Sequence, residues 1–358
     1  MDERLVAAYD YQLPKELIAQ RPAERRDASR LMLVRDDLFE DHVFSELPQL
    51  LREGDLLVLN ETRVIPARLF AHRTTGARVE LLLVSDAERA EGSASRHYRA
   101  LLRPSKRVRE GERLTFRAGE DELGFAIVGA SHPEGVRDIE LRVSLPLDTF
   151  FERAGRLPLP PYIHNESDEA QRRYQTVFAR IPGSIAAPTA ALHFTSELLD
   201  ELARRGIEVA ELSLDVGLGT FAPVRGEHID GHRMHAEHYN VPQDTAERIT
   251  LARQAARRVV AVGTTVVRAL EGCVVEHGTL RPCEGSTSLF ITPGFRFRVV
   301  DAMITNFHLP RSTLLMLVSA FAGRERMLRA YRAALERRYR FLSFGDAMLL
   351  EPALAPKV

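Results

Sequence analysis

Asp55-Leu56-Leu57-Val58-Leu59-Asn60-Glu61-Thr62-Arg63-Val64 is the stretch on which the fold turns. The four apolar residues after Asp55 are too few for a helix. They read as a short strand buried on both faces, the kind a parallel sheet contains. The run ends in the polar cluster Asn60-Glu61-Thr62-Arg63. Open α/β sheets hold their ligands at the carboxyl ends of such strands. From Val64 onward the pattern changes, which sets a domain boundary between residues 63 and 64.

Residues 64–70, 78–84, 97–102, 112–116, 123–128 and 136–143 are short strand-like runs separated by Gly, Pro, Ser and Asp clusters, with no helix pattern between them. Six antiparallel strands suffice for a small closed barrel. A short helix over 147–155 and the proline-rich segment Leu157-Pro158-Leu159-Pro160-Pro161 then bring the chain back. The expected organisation is a discontinuous α/β catalytic domain, residues 1–63 and 150–358, interrupted by an inserted antiparallel β-barrel domain, residues 64–149.

After the insertion a unit of strand, small polar loop and helix recurs. Residues 207–216 lead into Gly217-Leu218-Gly219-Thr220. Residues 259–262 lead into Gly263-Thr264-Thr265 and a helix over 266–271. Residues 299–304 lead into Thr305-Asn306-Phe307-His308-Leu309-Pro310-Arg311-Ser312-Thr313 and an apolar helix ending at Ala322. Loops of this kind gather on one edge of a parallel sheet. The main domain is therefore read as a parallel, barrel-like α/β sheet. Pro182-Gly183-Ser184-Ile185-Ala186-Ala187-Pro188-Thr189-Ala190-Ala191-Leu192-His193-Phe194-Thr195 is too small-residue-rich and too interrupted for a helix or central strand. It feeds a helix that Thr195 or Ser196 can cap and Gly206 ends. Such a loop is either a tight connection or a place where backbone amides approach an anionic ligand.

The chain has 358 residues, of which 45% are hydrophobic and 28% charged, with a formal net charge of −1. That length allows two domains. A nucleic-acid partner would have to be held by a local basic patch rather than by the overall field. The densest such patch is Arg103-Pro104-Ser105-Lys106-Arg107-Val108-Arg109, followed by Arg21, Arg25, Arg26 and Arg30; each reads as a solvated turn or as a phosphate contact. No apolar run of about 18 residues and no secretory h-region is found, so a cytoplasmic location is expected. The two cysteines, Cys273 and Cys283, form no Cys-x-x-Cys pair, and neither a disulfide framework nor a cysteine zinc site is expected. His232-Arg233-Met234-His235-Ala236-Glu237-His238 is rich in ligand atoms but lacks a defined metal spacing; acid/base or hydrogen-bonding work suits its imidazoles better. Dinucleotide, Walker, nucleophile-elbow and zinc-helix motifs are absent.

Residues 60–68, 182–195, 217–224, 232–237, 263–271 and 305–315, in that order, resemble the successive motifs of the S-adenosylmethionine:tRNA ribosyltransferase-isomerases of queuosine biosynthesis. The likeness runs from Tyr11 to about Leu350. Three positions depart from the pattern: Ala191 stands for Gly, Asp215 for His and Val266 for Ser. The resemblance implies an α/β domain with an inserted β-barrel. It also implies that the ribosyl group of S-adenosylmethionine, a consumed cosubstrate, is transferred to 7-aminomethyl-7-deazaguanine at the tRNA wobble position and rearranged, releasing adenine and methionine. No metal is implied, and a monomer is expected.

That reaction needs a base for the ribose carbon beside the sulfonium, a neutral amine, donors for the ring oxygen as the sugar opens, and help for the departing adenine. On the matching motifs the titratable candidates are His193, His235, Glu237, His308 and Asp346. His193 and His235 are assigned to proton transfer, Asn306 and His308 to the sugar. Thr189, Gly217, Gly219, Thr264 and Thr265, with Asn60, Thr62, Arg63 and Arg268, are assigned to substrate contacts. Arg103, Lys106, Arg107 and Arg109 are the first candidates for tRNA phosphates, and Arg25 and Arg26 the second. An RNA methyltransferase and a non-catalytic RNA-binding module are the competing readings. The first would release S-adenosylhomocysteine and the second nothing.

Overall fold

The structure, a computed structural model, describes residues 2–36, 38–86, 95–217, 224 and 226–352. The chain forms two compact units, Met1–Arg63 with Pro160–Val358, and Val64–Leu159.

A nine-stranded mixed sheet organises the first unit. Its strands run in the order Cys283–Thr287, Glu237–Val241, Glu208–Leu214, Leu56–Asn60, Val259–Val262, Ala302–Asn306, Ala347–Leu350, Arg30–Arg35 and Leu38–Val43. The four strands from Glu208–Leu214 to Ala302–Asn306 lie side by side and parallel. Leu56–Asn60 is buried throughout, as its apolar run Leu56–Leu59 requires, and alternate residues serve opposite faces. Leu56, Val58, Val259, Ala261 and Met303 join the core beneath helices Gln243–Gln254, Thr264–His277, Thr313–Ala322 and Arg324–Glu336. Leu57, Leu59, Val260, Val262 and Ile304 join a second core with Phe44, Phe194 and helix Ser196–Arg204. Fully burying each such side chain contributes about 1.5–3 kcal/mol, so both faces hold the strand ends in fixed register. Thr195 Oγ1 accepts from Leu198 N at 3.1 Å and Ser312 Oγ from Leu315 N at 3.2 Å. The first helix therefore begins at Thr195, one of the two caps the sequence offers, and the second is capped in the same way.

A parallel, barrel-like sheet is not what forms. Glu237–Val241 enters antiparallel beside Glu208–Leu214, and Cys283–Thr287 is antiparallel to it in turn. On the other side, Ala347–Leu350 runs antiparallel to Ala302–Asn306 and parallel to Arg30–Arg35. No pairing among the described residues joins the two outermost strands, so the sheet is open. The physical reason lies in the added edge strands. Glu-His-Tyr-Asn-Val and Cys-Glu-Gly-Ser-Thr mix buried and exposed positions, as half-solvated antiparallel strands do, rather than carrying the continuous apolar run of a parallel one. Helix Thr264–His277 also outruns the expected 266–271, because Cys273 and Val274 continue its buried face. Helix Gln243–Gln254 ends just before Ala256, which turns to φ +52°.

The second unit is antiparallel throughout, ordered Gly155–Arg156, Arg68–His72, Arg78–Asp86, Ser95–Arg103, Val136–Val143, Asp121–Ser131 and Arg113–Ala118. Arg68–His72 pairs additionally with Arg113–Ala118, through Ala71 opposite Phe116. The first strand starts at Arg68 rather than Val64, since Pro66 has no N–H to donate. Leu69, Ala71, Val79, Leu81, Leu114, Phe116, Ala126 and Val128 turn inward at alternating positions. Phe150 and Phe151 of helix Leu147–Ala154 complete that core. Gly155–Arg156 pairs with Arg68–His72. The return to the first unit therefore falls at Pro160, ten residues later than the boundary expected from the sequence. No helix among the described residues is long and apolar enough to cross a membrane.

Candidate active site

Four parallel strands end together in the first unit, and the residues just beyond them form the candidate site. Asn60 closes one strand and is wholly occupied by the backbone around it. Its Nδ2 donates to Leu214 O at 2.9 Å, and its Oδ1 accepts from Thr62 N and Leu214 N, each at 3.1 Å. It fastens neighbouring strand ends together, which leaves no capacity for a substrate. Thr62 Oγ1 donates to Asp215 Oδ1 at 3.0 Å, so the acidic residue that departs from the family pattern is fixed beside this strand end. Gly183 is required there: a Cβ on it would stand 2.6 Å from Asp215 Oδ1. Arg63 is exposed.

Gly263, at φ +96°, turns the chain from its strand into helix Thr264–His277, whose start no side chain caps. First-turn amides in that state attract an anionic group. Thr264 and Thr265 are buried at this end, and a Cβ on Gly263 would lie 3.8 Å from Ala190 Cβ. The one-turn helix Thr189–His193 is thereby brought beside the strand ends, with Thr189 half-buried.

Glu237 and Arg268, assigned from sequence to catalysis and to substrate, instead meet each other. Both are buried. Glu237 accepts from Arg268 Nη1 and, at 3.1 Å, from Gly217 N. Arg268 also donates to Leu289 O and Thr287 O, each at 3.2 Å. A buried ion pair this fully bonded is expensive to break, about 3–5 kcal/mol for loss of one partner. Its role is to anchor the backbone at Gly217; Gly219 lies outside the described residues. Val224 N donates to Arg311 O at 3.3 Å.

His193 does not have a nitrogen to spare. Asn306 Nδ2 lies 3.1 Å from its Nε2 and Ser29 Oγ lies 2.7 Å from its Nδ1. Since an amide nitrogen only donates, Nε2 accepts and Nδ1–H donates to Ser29, which fixes the tautomer. The ring stacks on Phe44 at 4.9 Å between centroids. Burial, aided by Arg340 and Arg26, pushes its pKa down to about 3. Such a histidine is neutral and structural, and the proton-transfer assignment is corrected accordingly. Asp346 is likewise committed: Oδ1 accepts from Arg30 N at 3.0 Å and Oδ2 from Arg340 N at 2.7 Å. Asn306 donates further to Leu342 O at 3.2 Å, while its buried Oδ1 has no partner among the described residues.

His308 differs. Its Nε2 meets Thr305 Oγ1 at 2.9 Å, and its backbone is held by Tyr331 and Tyr11. No partner of its Nδ1 is found among the described residues. Burial pushes its pKa down to about 3, so the ring is neutral across the neutral range. His235 is exposed, and it adds to the burial that lowers the pKa of His232. The structure thus brings Asn306 together with His193 and Asp346, keeps His308 beside Thr305, and leaves His235 apart from these. Ser29, Phe44, Thr305 and Arg340 were missed from sequence. Only Thr305, three residues before His308, carried a local signal.

Of the cations assigned to tRNA, Arg103, Lys106, Arg107 and Arg109 are exposed around the turn Ser105–Arg107. None forms an ion pair among the described residues. Arg25 is paired with Asp27 at 3.0 Å. Arg26 is corrected: its guanidinium donates to Leu192 O at 3.0 Å and Gln175 O at 2.8 Å, and burial pushes its pKa down to about 10. Its guanidinium is spent on holding neighbouring backbone carbonyls.

Comparison with known proteins bears on all of this. A family model described as queuosine biosynthesis protein matches residues 6–350. An S-adenosylmethionine:tRNA ribosyltransferase-isomerase from Symbiobacterium thermophilum is 52% identical over 345 residues, covering 96% of this chain and 98% of the relative. The one from Moorella thermoacetica is 52% identical over 349 residues, covering 96% and 99%. The crystal structure of an S-adenosylmethionine tRNA ribosyltransferase from Thermotoga maritima aligns with a TM-score of 0.54 at 38% identity, covering 96% of this chain and 99% of that one.

Proposed function

The chain belongs to the S-adenosylmethionine:tRNA ribosyltransferase-isomerase family, and on that premise we propose that it carries the ribosyl group of S-adenosylmethionine to 7-aminomethyl-7-deazaguanine at the tRNA wobble position. The product is epoxyqueuosine-tRNA, with adenine and methionine released, and the site of action is the cytoplasm. The observation that carries the reading is likeness along nearly the whole chain, coinciding with one edge where four strand ends gather polar residues.

Within that edge, His308 takes the proton from the ribose carbon beside the sulfonium, because Thr305 engages its Nε2 and no partner of its Nδ1 is found among the described residues. Asn306 accepts from a ribose hydroxyl through its Oδ1, a buried acceptor with no partner among the described residues. The uncapped start of helix Thr264–His277 receives the methionine carboxylate. His235, exposed, supplies a proton to the departing adenine. The basic turn at Lys106 and Arg107 in the second unit contacts tRNA phosphates, and the six-strand ring that bears it is the inserted β-barrel of the family. The chemistry uses no metal, and the protein acts as a monomer.

Chromatography of a reaction containing S-adenosylmethionine and tRNA bearing 7-aminomethyl-7-deazaguanine tests the reading. Adenine and methionine, formed in step with ribosylated tRNA, are expected. S-adenosylhomocysteine would overturn it in favour of methyl transfer, and unchanged cosubstrate would overturn catalysis.

A further inference from the structure

Away from the strand ends, Cys273, His277 and Cys283 converge, their ligand atoms all within 4.8 Å of one another. Cys273 and His277 are four residues apart on helix Thr264–His277 and so share a face. Cys283 opens the outermost strand of the sheet, Cys283–Thr287, and its Sγ lies 2.7 Å from that of Cys273. Glu276 stands alongside, its Oε2 accepting from Tyr239 at 3.2 Å and lying 3.9 Å from His277 Nε2. The helix ends at His277 with Gly278 in the left-handed region, so its negative dipole end faces the same place and favours a cation.

We propose that Cys273, His277 and Cys283 bind one Zn²⁺ ion, with water in the fourth position. Two sulfurs, one imidazole and a water make a tetrahedral set of borderline-soft character, which suits zinc over magnesium or calcium. The site is independent of the proposed reaction: the ion binds the last turn of the helix to the edge strand, and the helix begins at Thr264 and Thr265. Zinc–sulfur bonds of about 2.3 Å at the tetrahedral angle put the sulfurs roughly 3.8 Å apart, so they separate by about 1 Å on binding. Exposed Arg281, whose Nη2 lies 3.0 Å from His277 Nδ1, swings away. A disulfide is the rival occupant of the same pair.

Titration of the reduced, metal-free full chain with Co²⁺ tests the assignment. Expected are one Co²⁺ per chain, an intense near-ultraviolet sulfur-to-cobalt band, and displacement by Zn²⁺. The band should vanish in C273S and C283S, affinity should fall roughly tenfold or more in H277Q, and it should rise in R281A. Because a cysteine variant can fail to fold, alkylation of the parent protein serves as a second measurement, with Zn²⁺ expected to slow it at both thiols. Absence of the band, its survival in either serine variant, or unprotected thiols would overturn the site. So would a thiol assay on reductant-free, metal-free protein that finds none free until reductant is added, since the pair would then be a disulfide.

Discussion

Asn306 Nδ2 donates to His193 Nε2 at 3.1 Å across 113 residues of chain, and that bond decides which histidine is left for chemistry. With Ser29 on the other nitrogen, the His193 ring is a buried clasp between the small-residue loop and the end of strand Ala302–Asn306. His193→Ala should therefore destabilise the fold by about 2–4 kcal/mol, through the cavity and the donor it orphans. Urea denaturation reads this directly. Parent stability with turnover abolished would instead mean that the ring reaches substrate.

For His308 the opposite balance is expected. His308→Gln should lower kcat by about 10²–10⁴-fold, the usual contribution of a general base, while most of the stability is retained because Tyr331 bonds the backbone rather than the ring. Adenine release under saturating S-adenosylmethionine measures it. If kcat stays within a few-fold of the parent, proton removal belongs to another group, with His235 next in line.

The two buried histidines also set an acid limit on stability. Each falls from the ordinary value of 6.5 to about 3 on folding. Between those values the unfolded chain binds protons that the folded chain refuses, so stability drops as pH falls from 6.5 toward 3 and is fully present above 6.5. Each group contributes a slope of up to about 1.4 kcal/mol per pH unit. Denaturation midpoints for parent and His308→Gln across that range should differ in slope, the variant's being shallower. Parallel curves would show that the ring is not held neutral.

Phosphate binding is expected at the turn in the second unit. Replacing Lys106, Arg107 and Arg109 together with alanine should weaken tRNA binding and leave S-adenosylmethionine binding unchanged. The dependence of log affinity on log salt should flatten by up to roughly one unit for each phosphate that no longer meets a cation. Filter binding at several salt concentrations checks this, and an unchanged slope would move the search to Arg21 and Arg25.

What the sequence determined by itself is local. The polar-free run Leu56–Leu59 reads as a buried strand, and Thr195 or Ser196, and Ser312 or Thr313, read as helix starts. Each follows from hydrogen bonding and side-chain alternation within a few residues, which are legible in one dimension. The six-motif resemblance carried the family further than periodicity could. Tertiary structure alone decided the fate of the charged and titratable groups. Glu237 is committed because Arg268 reaches it from a helix 31 residues away, and Arg26 because three backbone carbonyls distant in sequence surround it. Cys273 and Cys283 carried no metal spacing in sequence, yet a helix end and an edge strand bring them together. Desolvation, pairing and ligand convergence depend on neighbours that only the folded chain supplies, so the same residue type is a clasp at His193 and keeps a ring nitrogen without a partner among the described residues at His308.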